Sequence, residues 1–226
     1  MWAKAQHLQE VFIMKKKFIL ALAFLMAFTL WTVALCFVDV QEIGPKGSEV
    51  GFATLNSFIH RLTGVNMTLY TITDWLGLVP VAFGFGFAIL GLAQWIKRKN
   101  ILKVDSNILV LGGFYILLLV VYILFETVVI NRRPGLINGY LETSYPSSTT
   151  LLVLCVMPTA ALQLRNRMKA AVPRNIVTTT ITAFVVFVIG GRLLSGVHWF
   201  SDIVGGILLA GGLVMAYDAT SHIVKG

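Results

Sequence analysis

The sequence predicts an all-α fold: an integral membrane bundle of six transmembrane helices with an outer interfacial amphipathic helix. Three observations lead there. Of 226 residues, 57% are hydrophobic and 12% charged, whereas a water-soluble domain carries about 25% charged residues. Mean hydropathy is +0.83. Several apolar runs approach the ~20 residues that cross a hydrocarbon core about 30 Å thick. One helical membrane domain over residues 1–226 is the simplest reading.

The first run, Phe18 to Val38, follows Lys15, Lys16 and Lys17. It exceeds the roughly 7–15 residues of a signal-peptide core and no small-residue cleavage pattern follows it, so it reads as a retained first helix. The later runs are Trp75 to Trp95, Ile108 to Ile130, Ser148 to Leu164, Ile176 to Leu194 and Asp202 to Ala219. Between the first two, residues 47–63 space Val50, Phe52, Leu55, Phe58, Ile59 and Leu62 two to four apart. Too polar to span, the segment reads as an amphipathic helix along the outer interface, the alternative being a loop packed on the bundle. Cys36 and Cys155 sit inside apolar runs rather than at metal or redox spacing, and read as lipid-facing or packing residues.

A net charge of +8 raises nucleic acid as a partner, but most of the charge sits in short loops between apolar runs. With both termini in the cytoplasm, 13 of the 18 Lys and Arg fall on that side: Lys4, Lys15, Lys16, Lys17, Lys97, Arg98, Lys99, Lys103, Arg165, Arg167, Lys169, Arg174 and Lys225. Positive charge is retained inside, so this is the expected orientation. Lys46, Arg61, Arg132, Arg133 and Arg192 then face outward. The expected partners are membrane lipids, with no nucleic acid.

Three polar clusters fall at the outward ends of helices three to six. They are Asn131-Arg132-Arg133-Pro134, then Tyr145-Pro146-Ser147-Ser148-Thr149-Thr150, then Arg192 with His198 and Asp202. Taken singly, an arginine pair after a membrane helix is an interfacial anchor and Pro-Ser-Ser is a helix cap. Together they supply what phosphoryl transfer needs, positioning and neutralisation of negative oxygen. Arg133 and Arg192 are bidentate, permanently charged forks for phosphate, with Arg132 beside them. Ser147, Ser148 and Thr149 open a helix whose first N–H groups form an anion cradle. His198 is a candidate nucleophile, and Asp202, four residues on, a partner that holds its attacking tautomer.

In this arrangement the chain resembles the type 2 phosphatidic acid phosphatase superfamily, whose signatures read K-x6-R-P, P-S-G-H and S-R-x5-H-x3-D. The resemblance covers approximately residues 107–219 and is carried by Arg133-Pro134, Pro146-Ser147-Ser148 and Arg192-x5-His198-x3-Asp202. It implies a six-helix membrane enzyme, active on a lipid through a phosphohistidine, with no metal and no cofactor. On it, His198 is the nucleophile, Asp202 its partner, and Arg133 and Arg192 the phosphate clamps.

Three positions depart from the pattern: Glu126 replaces the first lysine, Thr149 the second-motif histidine, and Gly191 the serine before Arg192. Threonine cannot protonate a leaving group at neutral pH, and general acids contribute about 10²- to 10⁴-fold. A phosphate leaving group, with a second pKa of about 6, departs without that proton. The expected substrate is a lipid phosphate or diphosphate, with polyprenyl diphosphate favoured over phosphatidate or phosphatidylglycerol phosphate. Glu126 stands either as a substitute acid or as a structural partner of Arg132 or Arg192. The competing reading is a degenerate protein that binds or moves lipid phosphate without cleaving it. Glu126 and Thr149 favour that reading, and the complete Arg192, His198 and Asp202 set opposes it.

Overall fold

The computed structural model describes residues 2–223, so the expectation for Lys225 lies outside the described residues. The described residues form eight α-helices: α1 (Trp2–Phe37), α2 (Ala53–Thr63), α3 (Met67–Leu76), α4 (Leu78–Arg98), α5 (Ser106–Thr127), α6 (Ser148–Arg167), α7 (Ala171–Leu194) and α8 (Phe200–Ile223). Among them six segments are long and apolar enough to cross a membrane, with α3 and α4 together making one. The predicted six-span bundle is the observed architecture, and the protein is a multi-pass membrane protein.

Helices α6 and α8 fill the centre and the other spans surround them, because these two carry small residues where the rest carry bulky apolar ones. Ala160 of α6 and Ala210 and Ala219 of α8 are closed off from solvent, whereas Phe85, Ile89 and Ile96 of α4 are exposed on its outer surface. In a bilayer such apolar surface is the solvated surface. The core joins Leu151, Cys155 and Val156 of α6 to Leu209 and Leu213 of α8 and Leu111 of α5. Cys155 is buried and Cys36 exposed, matching the packing and lipid-facing roles read for them.

Several boundaries differ from the sequence expectation. The second span begins at Met67 as the separate helix α3, capped by the Asn66 side chain, which accepts from Leu69 N–H at 2.9 Å. Helix α5 stops at Thr127 rather than Ile130, because Pro134 and the polar run before it belong to a loop that crosses back over the site end of the bundle. Within residues 47–63 only Ala53–Thr63 is helical, and its buried face carries Asn56 rather than the apolar stripe. Leu55, Phe58 and Leu62 of that stripe are exposed.

Asn56 is held for a reason that composition conceals. It donates to Gly51 O at 2.8 Å and Ser201 Oγ at 2.9 Å, and accepts from Ser201 N–H at 3.1 Å. The side chain of α2 thereby satisfies an N–H in the first turn of α8, where no intrahelical partner exists.

Candidate active site

The turn between α7 and α8 delivers His198. Gly196 sits at φ +65°, and a β-carbon there would strike Gly64 O in the α2–α3 connection. Glycine is therefore required both for the turn and for the close approach. Asp202 is the third residue of α8 and reaches back to accept from Trp199 N–H at 2.9 Å, one half of a capping box. Its other oxygen accepts from Asn131 Nδ2 at 3.3 Å. The carboxylate is fully buried, favourably placed at a helix N-terminus, and fixed before any substrate arrives.

His198 Nδ1 faces Asp202 Oδ2 at 3.7 Å, longer than a hydrogen bond. On the other side of the ring, Arg192 Nη2 is 3.0 Å from Nε2. A guanidinium only donates, so Nε2 is the acceptor and the ring proton belongs on Nδ1, facing Asp202. Burial above all, and then the charges of Arg133 and Arg192, hold the His198 pKa well below its ordinary value. The imidazole is neutral at pH 7 and presents a lone pair on Nε2, which is the form a nucleophile requires.

The other predicted residues arrive by different routes. Arg133 is buried and pairs with Glu142 at 3.1 Å through Nε. Arg133 Nη1 and Arg192 Nε are buried without a hydrogen-bond partner among the described residues. Glu142 and Asp74 offset part of the cost of burying two cations, and the unpartnered N–H groups suit a further anion. Arg132 is otherwise employed: Nη1 donates to Leu141 O at 3.1 Å, while its own carbonyl accepts from Trp199 Nε1 at 2.7 Å. It braces the loop.

Ser147 caps α6, its Oγ accepting from Thr150 N–H at 3.5 Å and from Thr150 Oγ1 at 3.0 Å, and its N–H donates to Asp202 O at 3.1 Å. That leaves the first-turn N–H groups of Ser148 and Thr149 to serve as the cradle. Ser148 lines a narrow cleft with His198, Glu126 and Thr143, whereas Thr149 faces a second, wider cavity. Glu126 is exposed and accepts from Thr143 Oγ1 at 3.1 Å. Among the described residues it pairs with neither Arg132, whose guanidinium is held by Leu141 O, nor Arg192, whose guanidinium on α7 lies against Asp74 and His198. Among the described residues no group of three or more His, Cys, Asp and Glu converges as a metal site.

Sequence reasoning missed the contribution of α3. Tyr70 lies with its ring centroid 4.9 Å from the Arg192 guanidinium carbon and 5.9 Å from that of Arg133. Asp74, one turn later, is 3.4 Å from Arg192 Nη1. A signal was present, because Asp74 is the lone acidic residue between Met67 and Arg98, and an ionisable side chain in an apolar span is a functional candidate by default.

Comparison with known proteins bears on the fold and on the stretch of sequence that holds these residues. No curated protein matches the chain. The crystal structure of a transmembrane PAP2-type phosphatidylglycerolphosphate phosphatase from Bacillus subtilis is similar, with a TM-score of 0.57 and 19% identity over 91% of this chain and 96% of that one. The family model of the PAP2 superfamily matches residues 129–221, a stretch that contains Arg133, Ser147, Arg192, His198 and Asp202. The resemblance read from three short motifs is thus matched by the PAP2-superfamily model over residues 129–221, and the fold is similar to that of a transmembrane PAP2-type protein.

Proposed function

We propose that the protein is a metal-independent lipid phosphatase that removes the terminal phosphate of a polyprenyl diphosphate through a phosphohistidine on His198. The observation that carries the reading is the neutral, buried imidazole with Nε2 3.0 Å from Arg192. In the first step Nε2 attacks the terminal phosphorus, the N–P bond forms, and the bridging P–O bond breaks. The electron pair leaves on the lipid monophosphate, which needs no proton. Arg133 and Arg192 hold the transferred oxygens, and Asp202 stabilises the charge that develops on the ring.

A groove of about 1160 Å³ supports a membrane-embedded substrate. It starts at Ser148, Thr149 and Asp74 beside the site and runs between α4 and α5 to Trp95 and Ile101 near the opposite end. From Gly77 to Trp95 a helix rises about 27 Å, against about 15 Å for half of a hydrocarbon core. One chain longer than a leaflet suits that depth better than two acyl tails do. The orientation consistent with the Lys and Arg distribution has both termini cytoplasmic and the site on the outer face of the cell membrane.

Phosphate release from a panel of lipid phosphates and diphosphates, in detergent with chelator present, tests the proposal. The expected result is fastest turnover on a polyprenyl diphosphate, no turnover by His198→Ala, and label trapped on His198. Activity lost to the chelator, or retained by His198→Ala, overturns the mechanism. Specific binding without turnover would establish the lipid-phosphate binding alternative.

A further inference from the structure

Helix α3 is pressed against α7 at the position where the sequence departs from the third signature. A β-carbon on Gly191 would lie 2.5 Å from Thr73 Cγ2 and 3.5 Å from Leu69 Cδ1. The serine of the signature would push α3 away, so glycine permits the contact. At its other end α3 closes on the second departure, since a β-carbon on Gly77 would lie 3.5 Å from Thr149 Cγ2. Two departures from the motifs thus border one helix, and that helix carries Asp74.

Asp74 contacts the site through a single guanidinium. Arg192 Nη1 faces Asp74 Oδ1 at 3.4 Å and Nη2 faces His198 Nε2 at 3.0 Å. The side chain of Arg192 is 1% exposed and that of Asp74 55% exposed, so water reaches the carboxylate while the cation stays fixed. Asp74 also shares the mouth of the groove with Ser148 and Thr149. The remaining carboxylates near the site are committed elsewhere: Asp202 to Trp199 N–H and Asn131, Glu142 to Arg133, and Glu126 to Thr143 in the cleft beyond His198.

We infer that Asp74 is the general base that activates water for release of phosphate from His198, in place of the histidine absent at position 149. The inference rests on the phosphohistidine reading above. In the second step the water oxygen bonds to phosphorus and the P–Nε2 bond breaks. Its electron pair returns to the imidazole, and the water proton passes to the Asp74 carboxylate and then to solvent. The first step makes no demand on Asp74, because a monophosphate leaves unprotonated. The base is needed only once the lipid has gone.

Asp74→Asn, assayed by rapid quench with a polyprenyl diphosphate labelled in its terminal phosphate, separates the steps. Expected are an undiminished burst of one lipid monophosphate per enzyme, turnover about 10²- to 10⁴-fold slower, labelled His198 accumulating, and recovery of turnover with added formate. Asp74→Glu should retain part of the rate. Turnover within twofold of the parent overturns the inference. So does a burst slowed as much as turnover, because Asp74 would then only orient Arg192. If neither protein carries label on His198 while both turn over, the phosphohistidine reading itself fails, which the other outcomes do not imply.

Discussion

Replacing Asp202 by asparagine is the sharpest test of how His198, the proposed nucleophile, is held. In the folded protein Oδ2 accepts from Trp199 N–H and faces His198 Nδ1, and Oδ1 accepts from Asn131 Nδ2. Every neighbour is a donor, so an amide has no comfortable orientation. Its oxygen must stay toward Trp199 and the ring, which turns its NH₂ against the Asn131 amide. Asn131 cannot simply flip, because its Oδ1 accepts from Gly51 N–H at 3.4 Å. One buried donor is stranded at a cost of about 1–3 kcal/mol. Catalysis loses more, because no negative charge remains to stabilise the imidazolium-like ring, an effect that reaches ~10⁴-fold where a buried Asp orients a catalytic His. Thermal unfolding in detergent and single-turnover phosphorylation of His198 measure the two losses separately. Adding Asn131→Asp should return the stability without the rate, since the charge then sits on the wrong residue. An Asp202→Asn enzyme that phosphorylates within threefold of the parent refutes the orienting role.

Four further outcomes are expected. Asn56→Leu should lower stability by about 2–5 kcal/mol, since it leaves Gly51 O and Ser201 N–H buried without partners; an unchanged melting temperature would show that water replaces it. His198 has a depressed pKa, so the unfolded chain binds its proton first as pH falls. Its contribution to stability is therefore full above the ordinary value of about 6.5 and declines below it, and His198→Gln should flatten that decline in pH-dependent unfolding. Glu126→Gln should slow monoester and diphosphate hydrolysis equally and slightly, as befits a Thr143 acceptor; a selective monoester loss would make Glu126 an acid. Impermeant thiol labelling of cysteines placed near residues 140 and 197, but not within 97–106, is expected in intact cells, and the reverse pattern would invert the topology.

Much of this protein was legible in its sequence because a bilayer imposes strong rules. Six apolar runs had to be helices, and the spacing of Arg192, His198 and Asp202 survives as geometry because a short turn and one helical turn separate them. Other contributions were hidden by the same reasoning. Tyr70 and Asp74 lie in what reads as the approach to a span, and nothing local reveals that Gly191 lets their helix reach the arginines. Asn56 lies among the stripe residues without belonging to them, and nothing local marks it, because its partner Ser201 lies 145 residues away. Arg132 looked equivalent to Arg133 until the loop carbonyl of Leu141 claimed it. Pairwise tertiary contacts of this kind leave no periodicity to read.

The packing of α1 on α8 bears on how the protein is made. Phe24 and Leu25 sit over Gly211 and Gly212, Lys17 pairs with Asp218 at 2.6 Å, and Trp31 Nε1 donates to Ser201 O at 3.2 Å. Helix α1 is therefore synthesised well before α8, the helix on which it docks. At synthesis rates of about 5–20 residues per second, α1 waits roughly ten to forty seconds for its partner, with only lipid against its seam. The apolar part of the seam, with Phe24 and Leu25, is at ease against lipid during that wait, while Lys17 and Trp31 gain their partners only when α8 arrives. Since α8 also supplies Asp202, a chain interrupted before α8 has neither the partner of α1 nor the carboxylate that faces His198, and the site can form only once α8 has been made.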